Sequence, residues 1–359
     1  MPLAFASGGH HQGDRSRRSN SVTRDGDPGR IPSNHAARAP FQSSRQPAEV
    51  GIVPTMTAPL KGVLPVAPTA FHDDESLDLD GQRRVTEFLI DAGAAAVCVL
   101  ANYSEQFSLT DAERLQILEA TVEQAAGRIP VIATTSAYSA RIARERAAEA
   151  QRRGAQLVML MPPFFGATLT VAEADILRYF RAVAEGLDID IMVQDAPMSP
   201  TLLSVDLLAR LAIEIPQIRH VKIEMPRTAA KVRALRNAAG DALPGVYDGE
   251  EAITLIPDLD AGVMATMSSG LVPEVLARVV DDFHAGRRDQ AVQQWEQVLP
   301  LVHYENRQCG LAGAKHLMHV GGIIGSARCR APYPELAPEV GDELLALAQR
   351  KGALVLEWA

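Results

Sequence analysis

The chain has 359 residues, 47% of them apolar, and a formal net charge of −9. That length is enough for one large α/β domain, or two small ones, with a substantial core. The acidic balance excludes a broad nucleic-acid surface, which needs clustered Lys and Arg, and no apolar run approaches the roughly 20 residues of a membrane span.

Residues 1–57 are rich in Ser, Arg, Gly, Pro and His without apolar period, a composition that stays disordered because it cannot offset its ordering entropy. Arg17-Arg18 lacks the apolar segment that an export signal requires, so a cytoplasmic protein is expected. The apolar pattern starts abruptly a few residues after Met56, which makes Met56 a candidate natural start.

From residue 62 onward, short apolar runs alternate with amphipathic stretches of helical length, the signature of repeated βα units. Strands are expected at 62–66, 95–100, 130–134, 157–160, 189–193, 220–223, 245–247 and 262–266. Helices are expected between them at 79–92, 111–126, 140–153, 171–186, 204–214, 227–239 and 249–256. Thr110-Asp111-Ala112-Glu113 reads as a capped, acidic helix start, and Arg152-Arg153-Gly154 as a basic helix end with its terminating glycine. Eight parallel strands with intervening helices predict a (β/α)₈ TIM barrel over 58–270, with its chemistry at the carboxyl ends of the strands. The stretches 273–284, 288–304, 309–320 and 338–350 exceed one closing helix and predict an added C-terminal helical layer over 271–359. Cys98, Cys309 and Cys329 are odd in number and far apart, which suggests neither a disulfide framework nor a metal cluster.

On the sixth strand, Lys222 and Glu224 stand two residues apart and therefore share one face. A lysine desolvated there loses its proton near neutral pH and attacks a carbonyl as a free amine, whereas the plainer alternative is a strand-end lysine snorkelling to water. The other strand ends carry Ala101-Asn102-Tyr103-Ser104-Glu105 after strand two, Pro163-Phe164-Phe165 after strand four, Gln194-Asp195 after strand five and Asp248-Gly249-Glu250-Glu251 after strand seven. The acidic residues after strand seven are also what a solvated helix start would contain, and Thr266, Ser268 and Ser269 after strand eight are common turn formers.

With these segments in this order, the chain resembles the dihydrodipicolinate synthase and N-acetylneuraminate lyase family from about Gly62 to its end. Ala-Asn-Tyr-Ser-Glu stands where that family has Gly-Thr-Thr-Gly-Glu or Gly-Ser-Thr-Gly-Glu, Pro-Phe-Phe stands for Pro-Tyr-Tyr, and the strand-six lysine matches in place. The resemblance implies that Lys222 forms a Schiff base with a 2-keto acid, that Asn102 and Tyr103 hold the substrate carboxylate, and that the protein is a homotetramer or homodimer needing no cofactor or metal. It also exposes departures. Gln194 replaces the relay tyrosine of strand five, and Phe164 or Phe165 replaces the tyrosine a neighbouring subunit would lend; neither carries an ionisable proton.

Glu224 is the economical substitute, a carboxyl able to take a C3 proton and to supply one to a departing hydroxyl, with Gln194 orienting substrate or water. Gly249, Glu250 and Thr266 are the further candidates for contact with the substrate. The set resembles the branch of the family that dehydrates L-2-keto-3-deoxyarabonate, and implies a small 2-keto-3-deoxy sugar acid as partner. Two other readings stay open: an aldolase releasing pyruvate, and a catalytically silent sugar-acid binder.

Overall fold

Each expected apolar run forms one stave of a closed barrel. The computed structural model describes Met56, residues 58–164 and residues 171–359. The expected disordered extension and the Met56 start therefore lie outside the described residues, Met56 itself excepted, as does Phe165.

The strands are β1 (Gly62–Val63), β2 (Val97–Val99), β3 (Val131–Thr134), β4 (Leu157–Leu160), β5 (Asp190–Asp195), β6 (Ile218–Ile223), β7 (Gly245–Asp248) and β8 (Ala265–Thr266). All pair in parallel with their sequence neighbours, β1 pairs with β8, and a parallel bridge between Val66 and Cys98 closes the ring from β1 to β2. Alternate positions fill the interior, where Leu64, Cys98, Ile132, Met159, Met192 and Met267 form one apolar cluster. Cys98 is a small buried hydrophobe in this cluster, with burial pushing its thiol up to about 11. At the base of the barrel, His220 bridges the Tyr247 hydroxyl at 2.8 Å and Asp190 at 3.2 Å, and the Leu60 N–H donates to the same hydroxyl at 3.2 Å.

Seven helices, α1 (Leu79–Asp91), α2 (Asp111–Ala125), α3 (Ala140–Arg152), α4 (Glu173–Ala184), α5 (Val205–Glu214), α6 (Thr228–Ala239) and α7 (Leu255–Ala261), follow β1 to β7 in turn. Thr110 starts α2 with a full capping box, its hydroxyl accepting from the Glu113 N–H while Glu113 accepts from the Thr110 N–H. One expectation fails. Residues 249–254 do not open a helix, because Glu251 and Ala252 sit at φ 55° and 64° in a left-handed turn, and the helix begins only at Leu255. In consequence Gly262, expected to start β8, caps the end of α7 at φ 105°.

After β8, α8 (Pro273–His284) completes the helical ring. Then α9 (Arg288–Tyr304), a π-helical turn at Glu305–Cys309, α10 (Leu311–Val320) and α11 (Pro338–Lys351) add the expected layer. Its anchor is a fully buried ion pair of Lys315 with Glu105 at 2.5 Å. Lys315 also donates to the Arg328 carbonyl at 2.7 Å, and Glu105 accepts from the Arg330 N–H at 2.8 Å. The Lys315 and Arg330 cations both lie over the Phe71 ring, 4.4 and 4.3 Å from its centroid. The layer therefore grips the loop after β2.

Candidate active site

Strand parity sets the centre. Lys222 lies in register with Gln194 on β5 and Tyr247 on β7, so its side chain enters the barrel mouth, where Glu224 forms an ion pair with it. The amide nitrogen of Gln194 donates to both Glu224 oxygens at 3.1 Å, which fixes the carboxylate from the neighbouring strand. The Gln194 amide oxygen is buried and has no partner among the described residues. Asp195, of opposite parity, turns away and pairs with Lys231 at 2.6 Å.

Gly249 makes this packing possible. A Cβ there would stand 2.5 Å from Glu224 Cγ and 2.8 Å from Lys222 Cε, so only glycine lets the backbone after β7 pass so close.

The charge state of Lys222 differs from expectation. Burial does push its pKa down, but Glu224 and Glu251 push it up further, and the net shift is upward. The resting side chain is thus an ammonium paired with the Glu224 carboxylate rather than a free amine. To attack a carbonyl, an ammonium in this position would first have to pass a proton to a neighbour.

The loop after β2 forms a second wall. Ala101, Asn102 and Tyr103 line the cavity. The loop is held by the Ser104 hydroxyl donating to the Ala67 carbonyl at 2.6 Å, by the Thr69 hydroxyl donating to the Ser104 carbonyl at 2.7 Å, and by Glu105 beneath. Glu105 is accordingly a structural residue, held by Lys315 and by the Arg330 N–H. Gln106 occupies the Asn102 side-chain oxygen and leaves the Asn102 amide nitrogen for other partners. The first N–H groups of a helical turn have no partner within the turn, and here these belong to Asn102 and Tyr103. Burial, then Glu251 and Glu305, push the Tyr103 phenol upward, which favours its keeping the proton.

The third wall follows β7. Asp248 is buried and accepts from the Glu250 and Ala252 N–H groups at 2.9 and 3.1 Å and from the Thr266 hydroxyl at 2.6 Å. Thr266, expected to touch substrate, therefore points away from the mouth: Ala265 and Met267 face the barrel interior, and a shift of one residue reverses the face. Glu250 does line the cavity. Its pKa is raised by burial and by Asp248, while Arg307 lowers it. Glu251 lines it as well, raised well above the usual carboxylate range by burial.

The resulting cavity, of about 240 Å³, gathers Lys222, Glu224, Asn102, Tyr103, Gly249 and Glu250, with Gln194 held behind Glu224. It also includes Asn306 and Arg307 from the π turn, which inspection of strand ends alone does not find. Their one signal is a polar run, Glu305-Asn306-Arg307-Gln308, interrupting an apolar helical period. Phe164 lies elsewhere, edge-on to Tyr138 with ring centroids 5.3 Å apart, beside a second cavity of about 270 Å³. Among the described residues, no three His, Cys, Asp or Glu side chains are arranged to hold a metal, and no helix is long and apolar enough to cross a membrane.

This geometry has known counterparts. The model of the dihydrodipicolinate synthetase family matches residues 59–351. A protein of Azospirillum brasilense named L-2-keto-3-deoxyarabonate dehydratase is 48% identical over 299 residues, spanning 83% of this chain and 97% of that one. A protein of Bradyrhizobium diazoefficiens named "Probable 5-dehydro-4-deoxyglucarate dehydratase" is 31% identical over 308 residues, 82% of this chain and 93% of its own. The crystal structure of dihydrodipicolinate synthase from Rhodopseudomonas palustris superposes with a TM-score of 0.77 at 27% identity, covering 83% of this chain and all of that one.

Proposed function

Since the chain belongs to the dihydrodipicolinate synthetase family, we propose that it is a Schiff-base hydro-lyase that removes water from a 2-keto-3-deoxy sugar acid, L-2-keto-3-deoxyarabonate being the substrate of choice. The observation that carries this reading is the Lys222–Glu224 pair, immobilised by Gln194 where family relatives would place a tyrosine. The 48% identity to a dehydratase over nearly that protein's full length supports the reaction class.

The substrate carboxylate docks on the N–H groups of Asn102 and Tyr103. Lys222 passes its proton to Glu224 and attacks C2; loss of water from the adduct gives a cationic iminium. That cation draws electrons from C3, so Glu224 removes a C3 proton and an enamine forms. The enamine expels the C4 hydroxyl as water once that oxygen is protonated. Loss of a C5 proton gives a dienamine that is an enol at C5; protonation at C3, then protonation at C4 with release of the C5 hydroxyl proton, and hydrolysis of the iminium yield 2-oxoglutarate semialdehyde, with one water lost overall. The iminium supplies the electron sink, so no cofactor or metal enters the scheme.

We place the enzyme in the cytoplasm, in L-arabinose catabolism, as a homotetramer or homodimer. The exposed apolar side chains Phe107 (61%), Tyr138 (54%) and Ile142 (44%), beside Phe164, support self-association on that face. Borohydride reduction in the presence of the keto acid, followed by peptide mass mapping, should place an adduct on Lys222, and product analysis should find semialdehyde. Pyruvate instead would mean aldol cleavage, and absence of any adduct would refute the mechanism.

A further inference from the structure

Two proton-transfer tasks were assigned above to Glu224 by sequence: taking the C3 proton and protonating the hydroxyl that leaves C4. Glu224 is poorly free for the second, since Lys222 holds it and Gln194 donates to both its oxygens at 3.1 Å. Another carboxyl lines the same cavity. Glu251 is presented by a turn in which it and Ala252 adopt φ 55° and 64°, backbone that residues other than glycine avoid. Asp248 holds that turn through two N–H groups, and the Trp295 indole donates to the Ala252 carbonyl at 2.8 Å. On its other side, the Ser269 N–H donates to Glu251 at 2.5 Å while the Ser269 hydroxyl donates to Glu305 at 2.8 Å. Glu305 is 1% exposed, and its second oxygen has no partner among the described residues.

We infer that Glu251 is a second catalytic carboxyl, which gives its proton to the hydroxyl departing from C4, with Ser269 and Glu305 as positioning residues. The inference rests on the iminium reading above and divides its proton transfers between two groups. In this step the enamine electron pair forms the C3–C4 double bond, the C4–O bond breaks, and the oxygen leaves as water with the Glu251 proton. The Glu251 carboxylate then takes the C5 proton that the product must lose, which restores the acid. Burial favours the protonated form of both members of the chain, raising Glu251 well above the usual range and Glu305 to about 8.

A leaving group that needs no proton separates this role from a structural one. For Glu251→Gln, turnover of 2-keto-3-deoxy-L-arabonate should fall by at least about 100-fold, while fluoride release from its 4-deoxy-4-fluoro analogue should stay within about fivefold of wild type. Ser269→Ala should lower kcat for the hydroxyl substrate roughly tenfold, with KM and fluoride release unchanged. Equal losses on both substrates, in Glu251→Gln and in Ser269→Ala, overturn the inference, as does hydroxyl turnover within about threefold of wild type in Glu251→Gln. Borohydride trapping of the wild type alongside distinguishes the failures: no adduct overturns the iminium reading itself, whereas an adduct with equal losses overturns only the role of Glu251.

Discussion

Lys315→Met tests whether the C-terminal layer governs the loop after β2. Both side chains of the Lys315–Glu105 pair are fully buried, so the substitution strands a carboxylate left with the Arg330 N–H at 2.8 Å and the Cys329 thiol as hydrogen-bond partners. Breaking a buried pair on one side costs about 3–5 kcal/mol, because the surviving charge keeps its desolvation penalty without its counterion. At roughly 2–4 °C per kcal/mol for large domains, Tm should fall by about 6–20 °C. The double variant Lys315→Met with Glu105→Gln removes the stranded charge and keeps an acceptor for Arg330, so it should recover at least about half of that loss. Loosening the loop should also raise KM for the keto acid more than it lowers kcat, because Asn102 and Tyr103 ride on it. Thermal unfolding of the two single variants and the double, with steady-state kinetics, is the assay. A Tm loss below about 2 °C for Lys315→Met, or strict additivity in the double variant, would refute the reasoning.

Gly249→Ala should cost about 1–3 kcal/mol by overpacking against Glu224 and Lys222, and should lower kcat/KM by up to about 100-fold through displacement of the lysine, read by kinetics and borohydride trapping rate. Glu224→Gln should form the trapped adduct more slowly, since the acceptor of the Lys222 proton is gone, and lose about 10²–10⁴-fold in turnover; full activity would reassign the base. Thr266→Val should destabilise by about 1–3 kcal/mol by depriving buried Asp248 of a donor, with KM little changed, whereas a large KM effect would return Thr266 to the substrate site. Glu305 keeps its proton in the folded chain up to about pH 8 but loses it near the ordinary glutamate value, 4.5, when unfolded. The native state then binds the extra proton between those values, so stability should fall as pH rises through that window, by about 1.4 kcal/mol per unit at most. Urea denaturation across this range should show that slope in wild type and a flatter one in Glu305→Gln.

Much of the barrel was legible because parallel strands buried on both faces are short apolar runs, and because helix ends such as Thr110–Glu113 carry their own capping chemistry. The pair Lys222 and Glu224 was legible for the same reason: period two puts them on one face whatever the strand's exact bounds. Thr266 was not, since β8 is only two residues long and offers no alternation from which to read parity. The turn after β7 looked like an acidic helix start because composition cannot reveal a left-handed Glu251. Asn306 and Arg307 lie beyond every strand end, and the π turn that brings them to the mouth leaves only a polar run as its trace. For Lys222, burial alone favours the free amine, and only the folded geometry shows how closely Glu224, with Glu251 behind it, opposes that push.

The dependence of the mouth on the last part of the chain sets an order of assembly. A nascent chain that has emerged through β8 owns Lys222, Glu224 and Glu251, but neither the lysine that neutralises Glu105 nor the π turn that carries Glu305 and Arg307. Until α9 and α10 dock, Glu105 is an unpaired acid under the loop that should receive the substrate carboxylate, and the Ser269 hydroxyl lacks its acceptor. The cavity is therefore complete only with the C-terminal layer in place, and a chain ending after β8 would lack two of its lining residues, Asn306 and Arg307.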